Sequence, residues 1–153
     1  MNNRNNCGLT LVELIVVIGV LAMILSMAMP KIKKNSFTHM AISRTVRDDI
    51  RSVRYIKMTE GKDYRIVFQK YSYFILEGPK LKKTITLDKG YSIAQNFKGN
   101  EIKFNYNGTP ETSGGTVIIL DDKAKKYCEV TVVPATGRIL LKNKIYNGYG
   151  GIK

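Results

Sequence analysis

The chain has 153 residues, enough for one small domain behind a membrane segment and too few for two enzymatic domains. Its 25 Lys and Arg residues outnumber 12 Asp and Glu residues, which gives a formal net charge of +13 at pH 7. That excess favours anionic partners such as nucleic acid, lipid headgroups or acidic protein surfaces. A Lys-rich composition that only keeps the protein soluble explains the charge equally well.

A long apolar segment follows a short polar leader. Residues 1–8 are rich in Asn, whereas residues 9–29 are almost wholly apolar and carry one charge, on Glu13. At about 1.5 Å per helical residue, this segment is long enough to cross a hydrocarbon core of roughly 30 Å. The short polar leader suits a cytoplasmic leader rather than a secretory signal, whose small-residue cleavage site follows the apolar region. We therefore predict a transmembrane helix over residues 9–30 that stays in the protein.

Glu13 is the anomaly in this helix. An ionised carboxylate at the bilayer centre costs about 2.5 to 3.5 kcal/mol, and such residues usually have a partner. No basic residue lies within one helical turn of Glu13. The partner is therefore expected to come from elsewhere, for example from another copy of the chain.

The order of Gly8, Leu-Thr-Leu-Val-Glu, an apolar helix and Pro30 resembles the type III leader of type IV prepilins and type II secretion pseudopilins. The resemblance implies that a prepilin peptidase and N-methyltransferase cuts between Gly8 and Leu9 and methylates Leu9. It also implies that Glu13 pairs with the free amine at Leu9 of a neighbouring subunit. Glu13 and Pro30 are thus candidate assembly residues. The alternative is an uncleaved single-pass anchor with a tolerated Glu.

An amphipathic helix is predicted in residues 31–60, after a kink at Pro30. Apolar side chains recur at spacings of three and four on one face, and Gly61 is a plausible C-cap. That face contains Ile42, Val46, Ile50, Val53 and Ile56. A second face carries Arg44, Arg47, Arg51 and Arg54. This basic stripe could contact a polyanion, pair with Asp48 and Asp49 of another copy, or simply be solvated.

Residues 61–153 change to a period of two, with short β-branched and aromatic segments separated by turn residues, which indicates an antiparallel β domain. Strands are predicted at 64–68, 73–76, 84–87, 91–94, 102–106, 117–120, 127–133 and 138–141, and a flexible tail at 146–151. The predicted fold class is therefore α+β, with a long N-terminal helix packed on an antiparallel β-sheet domain.

The order of Phe104, Gly108, Gly115-Thr116-Val117, a hairpin and Gly137-Arg138-Ile139 resembles the GspH/FimT type of minor pseudopilin. Some members of that type bind DNA through a C-terminal Gly-Arg-x-Arg. Here Gly137 and Arg138 match, but Leu140 stands at the second Arg position. Candidate DNA-contacting residues are Arg138, Lys142, Lys144 and Lys153, with Tyr146 and Tyr149 as candidate stacking residues.

Little in the sequence points to catalysis or to a cofactor. The one His, His39, is expected near the membrane end of the helix and away from Cys128, so it should not serve a thiol nucleophile. Cys7 lies in the leader, and Cys128 aligns with Val130 and Val132 as a small core residue, so no disulfide is expected. Asp121 and Asp122 could touch Ca²⁺, but an ordinary hairpin turn is the better explanation. We expect no enzyme, cofactor or metal.

The sequence thus predicts a structural subunit, a minor pilin or pseudopilin of a type IV pilus or type II secretion filament. The alternative is a DNA-binding pilin for natural competence. Expected partners are the prepilin peptidase, other pilin or pseudopilin subunits, an assembly platform protein with its ATPase, the membrane and, for the alternative, DNA. The chain would cross the inner membrane once with its N-terminus in the cytoplasm, and later enter an extracellular or periplasmic filament.

Overall fold

The protein is described by a computed structural model over residues 10–28 and 34–148. The chain divides into two compact units, Met1–Lys34 and Asn35–Lys153. The first unit contains helix α1 (Leu11–Ala28). The second contains helix α2 (Lys34–Glu60) and the β domain.

Helix α1 is apolar around its whole circumference apart from Glu13, and its side chains are exposed from Leu11 to Ser26. Among the helices in the described ranges, none is long and apolar enough to cross a membrane. Leu9 and Pro30, the ends of the predicted span, lie outside the described residues.

Helix α2 buries one stripe of side chains at spacings of three and four. Val46, Ile50 and Val53 are at most 1% exposed, which confirms the centre of the predicted face. Ile42 and Ile56 are only half-buried, and the stripe is extended instead by the polar residues His39, Ser43 and Lys57. The N–H of Gly61, at φ +68°, donates to the Lys57 carbonyl at 3.2 Å, so Gly61 is the C-cap.

Lys57 is buried because two neighbours compensate its charge. Its Nζ donates to Asp63 Oδ1 at 3.2 Å and lies 4.6 Å from the ring centroid of Tyr106. A buried ammonium needs such partners, since desolvation otherwise favours its neutral form.

Nine antiparallel strands follow in the described part of the second unit. They are β1 (Tyr64–Phe68), β2 (Ser72–Glu77), β3 (Lys80–Thr86), β4 (Tyr91–Gln95), β5 (Glu101–Lys103), β6 (Gly115–Asp121), β7 (Lys126–Val132), β8 (Ile139–Leu141) and β9 (Tyr146–Asn147). They form two sheets, ordered β3-β2-β1-β5 and β4-β6-β7-β8, with β9 also paired to β7. The α+β fold class is confirmed.

Several of the predicted β-domain boundaries are wrong. Strand β3 begins at Lys80 and not at the predicted residue 84, because the chain reverses at once after β2 and Lys80 already pairs with Glu77. Strand β5 stops at Lys103, since the chain turns where the Gly108 N–H donates to the Asn105 carbonyl at 2.9 Å. Tyr106 is consequently 72% exposed, although its alternation with Phe104 favoured a strand. In the predicted flexible tail, Tyr146 and Asn147 form β9.

One core joins α2 to both sheets. The buried side chains of α2 belong to one hydrophobic cluster with those of β1 and β5 from one sheet and of β6 and β7 from the other. Cys128 is fully buried on β7 beside Val130, as predicted for a small core residue, and burial raises the pKa of its thiol. Burial favours the thiol over the thiolate and makes this Cys unreactive.

A polar contact fixes α2 against the first sheet. Tyr73, which is 1% exposed on β2, donates its O–H to Asp49 Oδ2 at 2.6 Å. Lys83 Nζ on β3 donates to Asp49 Oδ1 at 2.8 Å. Burial, and then the bond to Asp49, raise the pKa of Tyr73 well above its ordinary value. Asp49 is therefore used within the chain, which leaves it poorly placed for the pairing between copies considered above.

The raised pKa of Tyr73 makes stability depend on alkaline pH. Below the unfolded pKa of about 10, Tyr73 makes its full contribution to the free energy of unfolding. Above that pH the contribution falls by about 1.4 kcal/mol per pH unit. We measure the free energy of unfolding in urea between about pH 9 and about pH 11. We expect it to fall less steeply with pH for Tyr73→Phe than for the unsubstituted chain. Tyr71→Phe, at an exposed position, is the control. Equal slopes for all three proteins would contradict the assignment.

Candidate functional site

The start of α1 is organised by a reciprocal contact between Thr10 and Glu13. Glu13 Oε2 accepts from both the N–H and the hydroxyl of Thr10 at 3.1 Å, and the Glu13 N–H donates to Thr10 Oγ1 at 3.3 Å. This is a capping box, which satisfies backbone donors that a helix start leaves unpaired. Glu13 therefore has partners within its own helix, contrary to the expectation that they must all lie elsewhere.

The Thr-x-x-Glu spacing that produces this cap was present in the sequence and was missed. The other N-terminal candidates, Gly8, Leu9 and Pro30, lie outside the described residues.

Two of the C-terminal basic candidates, Lys142 and Lys144, are brought together beside the ring of Tyr146, with Lys142 Nζ 5.8 Å from its centroid. Lys142 Nζ donates to Glu129 Oε2 at 2.9 Å, and this bond raises the pKa of Lys142. Tyr146 stacks on Tyr127 with ring centroids 5.1 Å apart, so it packs against the protein. Lys144 Nζ lies 5.5 Å from the centroid of Tyr146. Tyr149 and Lys153 lie outside the described residues.

The arginine stripe of α2 is largely engaged in contacts within the chain. Arg47 donates to both carboxylate oxygens of Asp48, at 2.9 and 3.1 Å, and this contact lowers the pKa of Asp48. Arg51 lies 4.0 Å from Asp48 and donates to the Ile139 carbonyl at 3.3 Å. Asp48 thus pairs along its own helix, so the stripe does not require another copy.

Arg54 has the most consequential contacts of the four arginines. Its Nε donates to the Gly108 carbonyl at 2.8 Å, and its Nη2 donates to the Thr136 carbonyl at 3.3 Å. Two turns that are distant in sequence are thereby attached to one side chain of α2. Spacing along the helix gave no signal of this role, because the acceptors are backbone atoms of remote turns.

Gly108 and Gly137 make this attachment possible. Both have positive φ, +78° and +61°. A Cβ on Gly137 would collide with the Gly108 carbonyl oxygen, and one on Gly108 would lie 2.9 Å from Arg54 Nε. The close approach of the two turns requires that Gly137 lack a side chain, whereas a Cβ on Gly108 would displace the side chains of Arg54 and Met58.

Beside this contact lies a groove, the arginine groove, between α2 and β8. Its volume is about 560 Å³, and it is lined by Arg51, Arg54, Tyr55, Met58, Arg138, Ile139 and Leu140. Tyr55, Met58 and Leu140 are 65%, 46% and 38% exposed. The groove therefore combines guanidinium groups with an accessible apolar surface. Its charged side chains are the three arginines, so the groove is positively charged.

The acidic turn between β6 and β7 is occupied by its own backbone. Asp121 Oδ1 accepts from the N–H groups of Lys123 and Ala124, at 3.1 and 2.9 Å, and Asp122 Oδ1 accepts from the Ser92 hydroxyl at 2.9 Å. The bonds to Asp121 are those of an ordinary hairpin turn, whereas the bond to Asp122 joins the turn to β4. Within residues 10–28 and 34–148, no cluster of three or more His, Cys, Asp or Glu side chains could hold a metal ion.

His39 lies closer to Cys128 than predicted. Its Nε2 donates to the Ile119 carbonyl at 2.9 Å, and Ile119 pairs with Cys128 across β6 and β7. The helix start thus packs over the second sheet. Both side chains are at most 1% exposed, so this proximity serves packing.

Comparison with known proteins identifies the N-terminal segment. Residues 3–29 match the prokaryotic N-terminal methylation motif. The match confirms the resemblance to the prepilin leader, and such a leader implies inner-membrane anchoring before assembly, a prepilin peptidase and other pilin subunits. No curated protein matches the chain in sequence.

Solved structures identify the fold. The chain is similar to the minor pseudopilin EpsH from the type 2 secretion system of Vibrio cholerae, with a TM-score of 0.58 and 12% identity over 68% of this chain and 95% of EpsH. It is also similar to the type IV minor pilin FimU of Pseudomonas aeruginosa, with a TM-score of 0.59 and 13% identity over 72% of this chain and 93% of FimU.

The β domain and α2 therefore have the fold of minor pilins and minor pseudopilins. The methylation motif and this fold confirm the two resemblances seen in the sequence, to the prepilin leader and to the minor pseudopilins. Pilins and pseudopilins are structural proteins, in agreement with the expectation that the chain is not an enzyme.

The close approach of the two turns makes Gly137 intolerant of a side chain. We expect Gly137→Ala to destabilise the protein by about 3 kcal/mol or more, because it adds a collision to the strain of positive φ. The control is Gly78→Ala, since Gly78 has φ +54° but open space where a Cβ would lie, and it should cost about 1 kcal/mol. Urea unfolding measures both. Equal losses would show that the turns move apart freely.

Proposed function

We propose that the chain is a minor pilin or pseudopilin, a structural subunit of a type IV pilus or a type II secretion filament. The observation that carries the proposal is the methylation motif at residues 3–29, which includes a helix that exposes its apolar side chains on all sides. The minor-pilin fold of the second unit supports it. Such a helix needs an apolar environment, first lipid and then the helices of other subunits.

Processing would occur at the residues that precede the capping box. Cleavage after Gly8 would leave Leu9 as the methylated N-terminus, Thr10 as the second residue and Glu13 as the fifth. The mature chain would lie in the inner membrane with its N-terminus on the cytoplasmic side. An assembly platform protein and its ATPase would then drive it into an extracellular or periplasmic filament.

Capping does not prevent Glu13 from pairing with another subunit. A carboxylate offers about four lone-pair positions, and the bonds to Thr10 use Oε2. Oε1 can accept from the amine of a neighbouring Leu9. Thr10 would then hold the carboxylate in a fixed orientation before the neighbour arrives, which reduces the entropy lost on pairing.

Three variants separate capping from pairing. We expect Glu13→Gln and Glu13→Ala each to lower incorporation into filaments by about tenfold, because both remove the charge that the amine requires. Thr10→Ala, which removes the cap and keeps the charge, should assemble far better than either. The measurement is the ratio of subunit in sheared filaments to subunit in membranes, by immunoblot. Normal assembly of Glu13→Gln would refute the pairing role.

DNA uptake is the second candidate function, and it is favoured by the exposed Arg138 beside Arg51 in the arginine groove. The engagement of Lys142 with Glu129 and of Tyr146 with Tyr127 leaves this candidate a smaller surface than the sequence predicted.

Binding of duplex DNA by the full chain in uncharged detergent tests this candidate. If the chain takes up DNA, affinity should fall steeply with salt, and Arg138→Ala should weaken binding more than Lys142→Ala, whose charge is already paired. If no salt-sensitive binding is found, the DNA-uptake function is rejected and the filament role is the one proposed function that stands.

A further inference from the structure

The arginine groove presents two kinds of surface side by side. Arg138 is exposed at the start of β8, and the side chain of Arg51 is 54% exposed across from it on α2. Tyr55, Met58 and Leu140 supply the apolar part. Arg54 is held by two backbone carbonyls, so its charge is fixed in place next to the opening.

We infer that the arginine groove binds a short acidic segment of another protein, in which carboxylate side chains alternate with aliphatic or aromatic ones. The identification of the partner as another filament subunit rests on the proposed function. The binding of an acidic segment does not depend on it.

The lining residues match such a segment in charge and polarity. Arg forms paired hydrogen bonds with a carboxylate through its planar guanidinium, and Arg51 and Arg138 can each do so. The apolar neighbours of that carboxylate would cover Tyr55, Met58 and Leu140. Arg and Tyr are also the residue types that contribute most often to binding energy at the centres of protein interfaces.

A second copy of this chain is a poor occupant. The acidic side chains that already form ion pairs within the chain are Asp48, Asp49, Glu60, Asp63, Glu77, Glu101 and Glu129. Asp121 is hydrogen-bonded within its own turn and Asp122 to the Ser92 hydroxyl of β4. The exposed Asp88 and Glu111 are isolated in the sequence and form no segment of alternating carboxylates. With a net charge of +13, two copies also repel each other. The acidic partner is therefore a different protein.

Nucleic acid fits the groove less well than an acidic segment does. Phosphate binding requires cations along an extended path, whereas the arginines here converge on one groove of about 560 Å³. Lys142 and Lys144 are not among its lining residues. An exposed Met and Leu contribute nothing to phosphate contacts but suit the apolar side chains of a peptide.

The test uses the full chain in uncharged detergent and a fluorescent synthetic peptide of about ten residues, long enough to cross a groove of this size, in which Glu alternates with Leu and Phe. Binding is followed by fluorescence anisotropy. We expect Arg138→Glu to weaken binding by about tenfold and the matched charge change Arg44→Glu by less than about twofold. Tyr55→Ala should likewise weaken it more than Tyr71→Ala, which removes an exposed Tyr elsewhere.

Several results would overturn the inference. The inference is wrong if the peptide does not bind, or if a peptide with Gln in place of Glu binds equally well. It is also wrong if Arg138→Glu and Arg44→Glu lose the same affinity, or if duplex DNA binds the groove in preference to the peptide. Unchanged melting temperatures show that the variants are folded. The filament proposal is judged separately by the Glu13 variants, so either proposal can fail while the other stands.

Discussion

The second unit depends on the attachment of two remote turns to Arg54. Its guanidinium donates to the carbonyls of Gly108 and Thr136, and the adjoining Gly137 packs directly on Gly108. Gly108 is buried, and an unsatisfied buried carbonyl costs about 1 to 3 kcal/mol, so the bond from Arg54 to Gly108 contributes more than the bond to the exposed Thr136. The attachment sets where β8 begins, and with it one wall of the arginine groove.

Much of the fold could be predicted, because the spacing of hydrophobic residues along the chain indicates which side chains are buried. The spacing of Val46, Ile50 and Val53 gave the buried face of α2, and the alternation around Ile66 and Val130 gave strands at the right places. The pattern failed at Tyr106, since alternation continues past the point where the turn at Gly108 ends the strand. Turn geometry competed there with periodicity and prevailed.

The candidate site was harder to predict, because its polar contacts join residues that are distant in sequence. Charge alone placed Arg138 and Lys142 in one basic surface, whereas Glu129 engages Lys142 and the groove gathers Arg138 with two arginines of α2. Gly108 and Gly137 both belong to the sequence pattern that resembles the GspH/FimT type of minor pseudopilin. That pattern has a physical basis, since the two glycines touch.

The bond from Arg51 to the Ile139 carbonyl also affects how copies of the protein can associate. Strand β8 is the last in its sheet, and an open sheet edge invites another strand to add to it, which leads to aggregation. A side chain that occupies an edge carbonyl blocks one position of that ladder. In the other sheet, the edge strand β3 carries Lys80, Lys82 and Lys83. These charges repel the same strand of another copy. In the proposed filament subunit, both of these β-edges are thus protected against amyloid-like growth.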